Sequence, residues 1–219
     1  MPGREAFAAD HQAGNAQVVW TRLIGDLETP VSAMFKLAQA FKPAAATGAK
    51  GDAAAIGASS HAASDPRAMN FLLESVEGGD VRGRYSIIGL APDLVWRCFG
   101  TRAEINVKPQ TDPDAFVEDT AETLSSLRGL LARSRIATPE GLPPMVAGVF
   151  GYMGYDTVRL VEHLPDTPPD VLGVPDGVMM RPTLMVIFDA VKDEITVVTP
   201  VYPAALSAAE NENFTTSDD

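Results

Sequence analysis

Apolar and polar positions first fall into order at residues 18–24, a β-prone run that Gly25-Asp26 closes. Thr29-Pro30 follows, an N-cap residue with proline at the first helical position, and predicts a helix. Met34, Leu37, Ala38 and Phe41 recur at helical spacing and give that helix one apolar face. Between 43 and 66 the pattern fails. Alanine, glycine and serine dominate there, and so few large apolar side chains cannot offset the entropy of ordering the chain, so the segment reads as a flexible insertion.

Beyond the insertion the period shortens. Residues 70–77 read as a buried strand, Gly78-Gly79-Asp80 as a turn and 84–90 as the returning strand. A second hairpin pairs 94–99 with 102–108 around Gly100-Thr101, where glycine tolerates the positive φ of a tight turn. Asp112 or Asp114 is positioned to cap a helix carrying Phe116, Leu124, Leu127 and Leu131 as far as about Arg135. Residues 145–155 read as a strand punctuated by Gly148, Gly151 and Gly154, and Asp156 caps a short helix to Leu164. After a proline-rich loop, 183–188 and 194–201 form a last hairpin. This organisation predicts a flexible start at 1–17, one domain over 18–202 and a polar tail at 203–219. Successive hairpins make the sheet largely antiparallel, in a mixed α/β (α+β) fold.

Charge narrows the partners. Seventeen basic residues against twenty-nine acidic ones leave a net charge of −12, which repels phosphate backbones and anionic lipid, so neither nucleic acid nor a membrane is an expected partner. The amino-terminal residues lack the continuous apolar stretch of a secretory signal, and no window approaches the ~20 apolar residues of a membrane span. One cysteine, Cys98, cannot form an internal disulfide and sits in an apolar run, which fits a small buried hydrophobe in a cytoplasmic protein.

Little of the common chemistry assembles. His11, His61 and His163 lie far apart in sequence and beside no metal-ligand spacing. The glycines from Gly148 to Gly154 are separated by bulky apolar residues rather than set in a phosphate-binding loop, and fit a strand that bends or admits another backbone closely. Leu72-Leu73-Glu74-Ser75 is more informative. A carboxylate and a hydroxyl buried in an apolar strand need partners, since an unsatisfied one costs ~1–3 kcal/mol. Arg84 or Tyr85 on the neighbouring strand is the favoured internal partner; the ammonium and carboxylate of a bound amino acid are the other.

Five segments taken in order resemble the amino-terminal domain of the anthranilate synthase component I family. They are Asp26-Leu27-Glu28-Thr29-Pro30-Val31-Ser32, Phe71 through Glu77, Gly83 through Gly89, Gly148 through Asp156 with Val158 through Glu162, and Pro175-Asp176-Gly177. The resemblance implies layered sheets flanked by helices. It also implies a complete subunit that converts chorismate and ammonia to anthranilate and pyruvate, with a glutamine amidotransferase subunit delivering the ammonia. In that family the Leu-Leu-Glu-Ser strand helps form the site of feedback inhibition by L-tryptophan, a role that carries over to Leu73, Glu74 and Ser75, and to Tyr85 and Ser86.

The catalytic groups and the carboxylates that hold Mg²⁺ belong, by the same resemblance, to a chorismate-binding part beyond Asp219. No catalytic or metal residue is therefore assigned here. The insertion at 43–66 is longer than the family pattern. A related reading is the equivalent domain of aminodeoxychorismate synthase component I, against which Gly154 through Arg159 and Val161-Glu162 favour the tryptophan-pathway enzyme. A non-enzymatic amino-acid-binding module is the reading from a different class.

Overall fold

A computed structural model describes residues 3–40, 69–74, 83–166 and 169–202. The elements are α1 (Arg4–Gln12), β1 (Gln17–Ile24), α2 (Pro30–Ala40), β2 (Phe71–Leu73), β3 (Tyr85–Phe99), β4 (Arg102–Asn106), β5 (Val117–Glu118), α3 (Thr123–Arg133), β6 (Phe150–Met153), a 3₁₀ turn (Tyr155–Leu160), β7 (Gly177–Asp189) and β8 (Glu194–Val201). The fold is mixed α+β, and the eight strands among the described residues form one antiparallel sheet in the order β1-β8-β7-β3-β4-β5, with β2 added to β3 and β6 to β7.

The spine of that sheet is the pairing of β3 with β7, fifteen and thirteen residues long. Near Tyr85 and Asp189 it is flanked by β2 on one side and by β8 and β1 on the other. Toward Cys98 and Gly177 its flanks are β4 and β6 instead. The two regions meet where Pro92 faces Pro182 and the register shifts before Leu94. Proline has no N–H for a ladder, so such a pair is accommodated at a bulge. Ala91 takes φ 49° there, and its carbonyl accepts from Thr183 Oγ1 at 2.6 Å and Gln110 Nε2 at 2.9 Å. Asp93 holds the buried Arg181 through bonds of 2.8 and 3.0 Å, and Arg181 in turn covers the Tyr202 ring at 4.4 Å.

Both faces of the Tyr85 end are covered. Ile88, Leu90, Val186, Phe188 and Ile195 pack under Ala33, Met34 and Leu37 of α2. That helix begins with the expected cap: Thr29 Oγ1 accepts from Ser32 N at 3.1 Å and Ser32 Oγ from Thr29 N at 3.0 Å. The Ala38 side chain and Phe41, assigned to the same face, lie outside the described residues. Ile87, Met185, Ile187, Val198 and Val18 form the opposite core with Val146 and flanking residues of the 136–150 segment. A third cluster joins Leu94, Trp96, Cys98 and Ile105 to Leu130 of α3.

Several boundaries differ from the sequence reading. Residues 91–93 do not end the strand that begins at Tyr85; the bulge carries it on to Phe99. The third helix starts at Thr123, because Asp112 is drawn into a turn by Asn106 Nδ2 and Lys108 O, and Val117-Glu118 pair with β4. Its buried face is Thr123, Ser126 and Leu130, whereas Leu131 is exposed. The strand expected over 145–155 is limited to Phe150–Met153. Asp156 caps nothing; it lies within the 3₁₀ turn and pairs with Arg159 at 3.0 Å. The start expected at 1–17 contains α1, none of whose residues is buried. The assignments for 43–66 and 203–219, and for the strand beyond Glu74, lie outside the described residues.

Candidate functional site

β2 is three residues long and joins the outer side of β3 through Phe71↔Gly89, Leu72↔Ile88 and Leu73↔Ile87. Opposed residues share a face and successive ones alternate. Phe71, Leu73, Ile87 and Tyr85 therefore belong to one face, and Leu72, Ile88 and Ser86 to the face that α2 covers. Phe71 and Tyr85 pack against the core around Ile87, and Leu72 against the core around Ile88. Leu73 is 52% exposed, and Glu74, just past the strand end, is exposed.

Of the expected effector residues, Leu73, Glu74, Tyr85 and Ser86 thus collect at one end of the β2–β3 pair, with Tyr85 and Ser86 turned to opposite faces. Ser75 lies outside the described residues. The demand for an internal partner at Glu74 falls away, because its carboxylate is in solvent rather than buried. Arg84, proposed as that partner, forms a two-bond fork with Asp189, from Nε at 2.9 Å and from the terminal nitrogen at 2.7 Å. Its guanidinium also stands 5.0 Å from the centre of the Tyr85 ring. The Arg84 bonds, helped by the N–H groups of Val191 and Lys192, hold the Asp189 carboxyl below the usual carboxylate range although burial acts the other way. Asp189 left no signal in the sequence: it stands 105 positions from Arg84, in a segment that reads only as a turn.

The segments from Gly148 to Glu162 and from Pro175 to Gly177 meet at the other end of the spine. Asp176 accepts from Gly100 N at 2.6 Å through its side chain and from Gly154 N at 2.6 Å through its carbonyl, and it donates its own N–H to Cys98 O at 2.8 Å. One residue therefore fastens the β3–β4 turn to the end of β6. Gly151 crosses β7 so closely that a Cβ there would stand 1.8 Å from the carbonyl oxygen of Val178. This is the close backbone approach expected of the glycine run. Beside these contacts a cleft of about 670 Å³ opens between Phe99, Leu160, Arg159, Leu172 and Asp176. Arg159 is held by Asp156 and the Leu164 carbonyl, and Asp170 accepts from Leu172 N and Gly173 N, so these polar groups are engaged in shaping the loops. Cys98 is buried beside this junction, and burial, then the nearby Asp176 charge, pushes its thiol up to about 11.

Among the described residues no group of three or more His, Cys, Asp or Glu converges as a metal site, and no helix is long and apolar enough to cross a membrane.

No protein-family model matches the chain. Anthranilate synthase component 1 of Cereibacter sphaeroides is 45% identical over 202 residues, which cover 92% of this chain and 35% of that protein. The Synechocystis protein of the same name is 33% identical over 89% of this chain and 32% of its own length. That of Pseudomonas aeruginosa is 38% identical over 64% and 28%. Among solved structures, anthranilate synthase component I from Streptococcus pneumoniae TIGR4 aligns with 87% of this chain and 34% of its own, at 19% identity and a TM-score of 0.44. The chain spans about a third of the length of the curated relatives it matches. With 45% identity sustained over 92% of its residues, the chain belongs to the anthranilate synthase component 1 family.

Proposed function

We propose that the chain is the L-tryptophan-sensing part of an anthranilate synthase component 1. In complete form that subunit converts chorismate and ammonia to anthranilate and pyruvate in the cytoplasm. A glutamine amidotransferase subunit supplies the ammonia, and Mg²⁺ is held by residues outside this chain. The observation that carries the reading is the end of β2, where half-exposed Leu73 and exposed Glu74 stand beside Tyr85 and Ser86 on a strand already anchored in the core. Such an end offers an amino acid apolar contact from Leu73 and Tyr85 on one face and a carboxylate for its ammonium group at Glu74; Ser75, next in sequence, is the hydroxyl assigned to its carboxylate by the family resemblance. Tryptophan acts there by binding the inactive state of the subunit more tightly than the active one.

Inhibition curves of the complete subunit, with ammonia as nitrogen donor, test the assignment. Ser75→Phe fills the pocket and abolishes inhibition. Ser75→Ala removes one hydrogen bond of about 0.5–1.5 kcal/mol, or roughly 2- to 13-fold in affinity. An unchanged inhibition midpoint in folded Ser75→Phe protein refutes the site.

A further inference from the structure

We infer that Gly89 is a positioning residue for the effector site, because it forms the seat that holds Phe71 and, through Phe71, sets where β2 ends. The inference rests on the effector reading above. A strand of three residues with three opposed pairs has little pairing of its own to fix it, so its position depends on the side chains it anchors. Those anchors lie at the residue before it and at its first two residues. Asn70 Oδ1 accepts from Ala91 N at 3.3 Å, Phe71 packs into the core around Ile87, and Leu72 packs under α2. Leu73, at the other end, is half in solvent.

Gly89 directly opposes Phe71 in the ladder. A Cβ built on Gly89 would stand 2.2 Å from Cε1 and 2.3 Å from Cζ of the Phe71 ring. The ring therefore occupies the space that any other residue's side chain at position 89 would fill. Gly89 lies within β3 and is not among the positive-φ glycines, so room rather than backbone conformation is what glycine supplies. The ring continues to Phe150 at the start of β6, with centroids 5.1 Å apart and planes tilted by 31°. Two sides of the seat are thus fixed, one by Gly89 and one by a neighbouring strand. Lifting the ring off Gly89 carries Leu73 with it, two positions along on the same face, and moves Glu74 beyond it.

The test uses the complete subunit with ammonia, chorismate and Mg²⁺, and reads the tryptophan inhibition midpoint together with uninhibited kcat and KM. Gly89→Ala is expected to raise the midpoint by ~2- to 30-fold while kcat and KM stay near wild type. Phe71→Leu withdraws the ring and is expected to shift the midpoint in the same direction. In the double variant the methyl added by Gly89→Ala enters space that the shorter side chain of Phe71→Leu vacates, so its shift is smaller than the sum of the single shifts. A wild-type midpoint in folded Gly89→Ala protein overturns the inference, as does a loss of kcat that accounts for the change. If Gly89→Ala does not fold, the midpoint of Phe71→Leu decides. Ser75→Phe is measured alongside. Retained inhibition in that variant removes the effector reading itself, whereas its loss there with wild-type midpoints in both seat variants removes only the role of Gly89.

Discussion

Arg84, the residue before β3, reaches Asp189 at the end of β7 through two side-chain bonds of 2.9 and 2.7 Å, with the carboxylate almost fully buried. A carboxyl held below its unfolded value of ~3.9 stabilises the fold above that pH, and the contribution is lost as pH falls through the lower folded value. Asp189→Asn is expected to cost ~1.5–3 kcal/mol near neutrality, the range for hydrogen bonds to charged groups. The gap between wild type and variant should narrow as pH falls below the ordinary carboxylate range and the lowered Asp189 carboxyl takes up its proton. Urea unfolding of both proteins across that range checks it; a gap independent of pH contradicts the role given to the Asp189 charge.

Gly151→Ala should destabilise the chain by at least ~2 kcal/mol, because the new methyl meets the Val178 carbonyl rather than a side chain that can turn away. Gly100→Ala has open space but a φ of 55°, so its cost is limited to backbone strain of ~1–2 kcal/mol. Thermal melts of the two variants rank the effects; equal losses would show that β6 moves aside freely.

Ser126 is buried in α3, accepts from Trp96 Nε1 at 2.9 Å and donates to Asp119 at 2.6 Å. Removing the hydroxyl in Ser126→Ala strands a buried indole N–H, at an expected cost of ~1–3 kcal/mol. Combining it with Trp96→Phe removes the stranded donor, so the pair should cost less than the sum of its members. Denaturant midpoints for the four proteins of the cycle give the coupling directly, and strict additivity would count against a bond that matters.

The isolated chain, supplied with chorismate, ammonia and Mg²⁺, is expected to form no anthranilate, since it spans about a third of the relatives that bear the enzyme's name. Anthranilate fluorescence measured over time on purified protein decides it. Steady product formation that survives removal of host enzyme would require a catalytic site within these residues.

What was legible in the sequence follows from how local each signal is. The Thr29 cap, the Gly100-Thr101 turn and the closing hairpin depend on neighbours a few positions away, and all three stand where the pattern puts them. The stretches 84–90 and 94–99, separate in the sequence reading, are one strand, because Pro92 and Pro182 face each other at a bulge that carries β3 through. Ser126 on the buried face of α3 was invisible for a related reason: helical periodicity counts apolar residues, and this one is kept inside by a tryptophan thirty positions earlier. The candidate site was legible as a group of residue types. That Tyr85 and Ser86 turn apart follows from strand alternation, whereas which of the two faces lies under α2 became visible only once the pairings of β3 were known.

The β3–β7 spine also determines when the sheet comes into being. Its ladder joins positions from 79 residues apart at Cys98↔Gly177 to 104 apart at Tyr85↔Asp189. During synthesis β3 leaves the ribosome long before β7 exists, with β4 the only spine neighbour made soon after it. Loop-closure entropy opposes the late encounter, so this pairing, and the still longer-range pairing of β1 with β8, is expected to form more slowly than any hairpin. Until then the apolar stretch that ends in Val95, Trp96 and Cys98 remains uncovered on one edge. That interval, rather than the finished fold, is when the nascent chain is most open to aggregation and to chaperone capture.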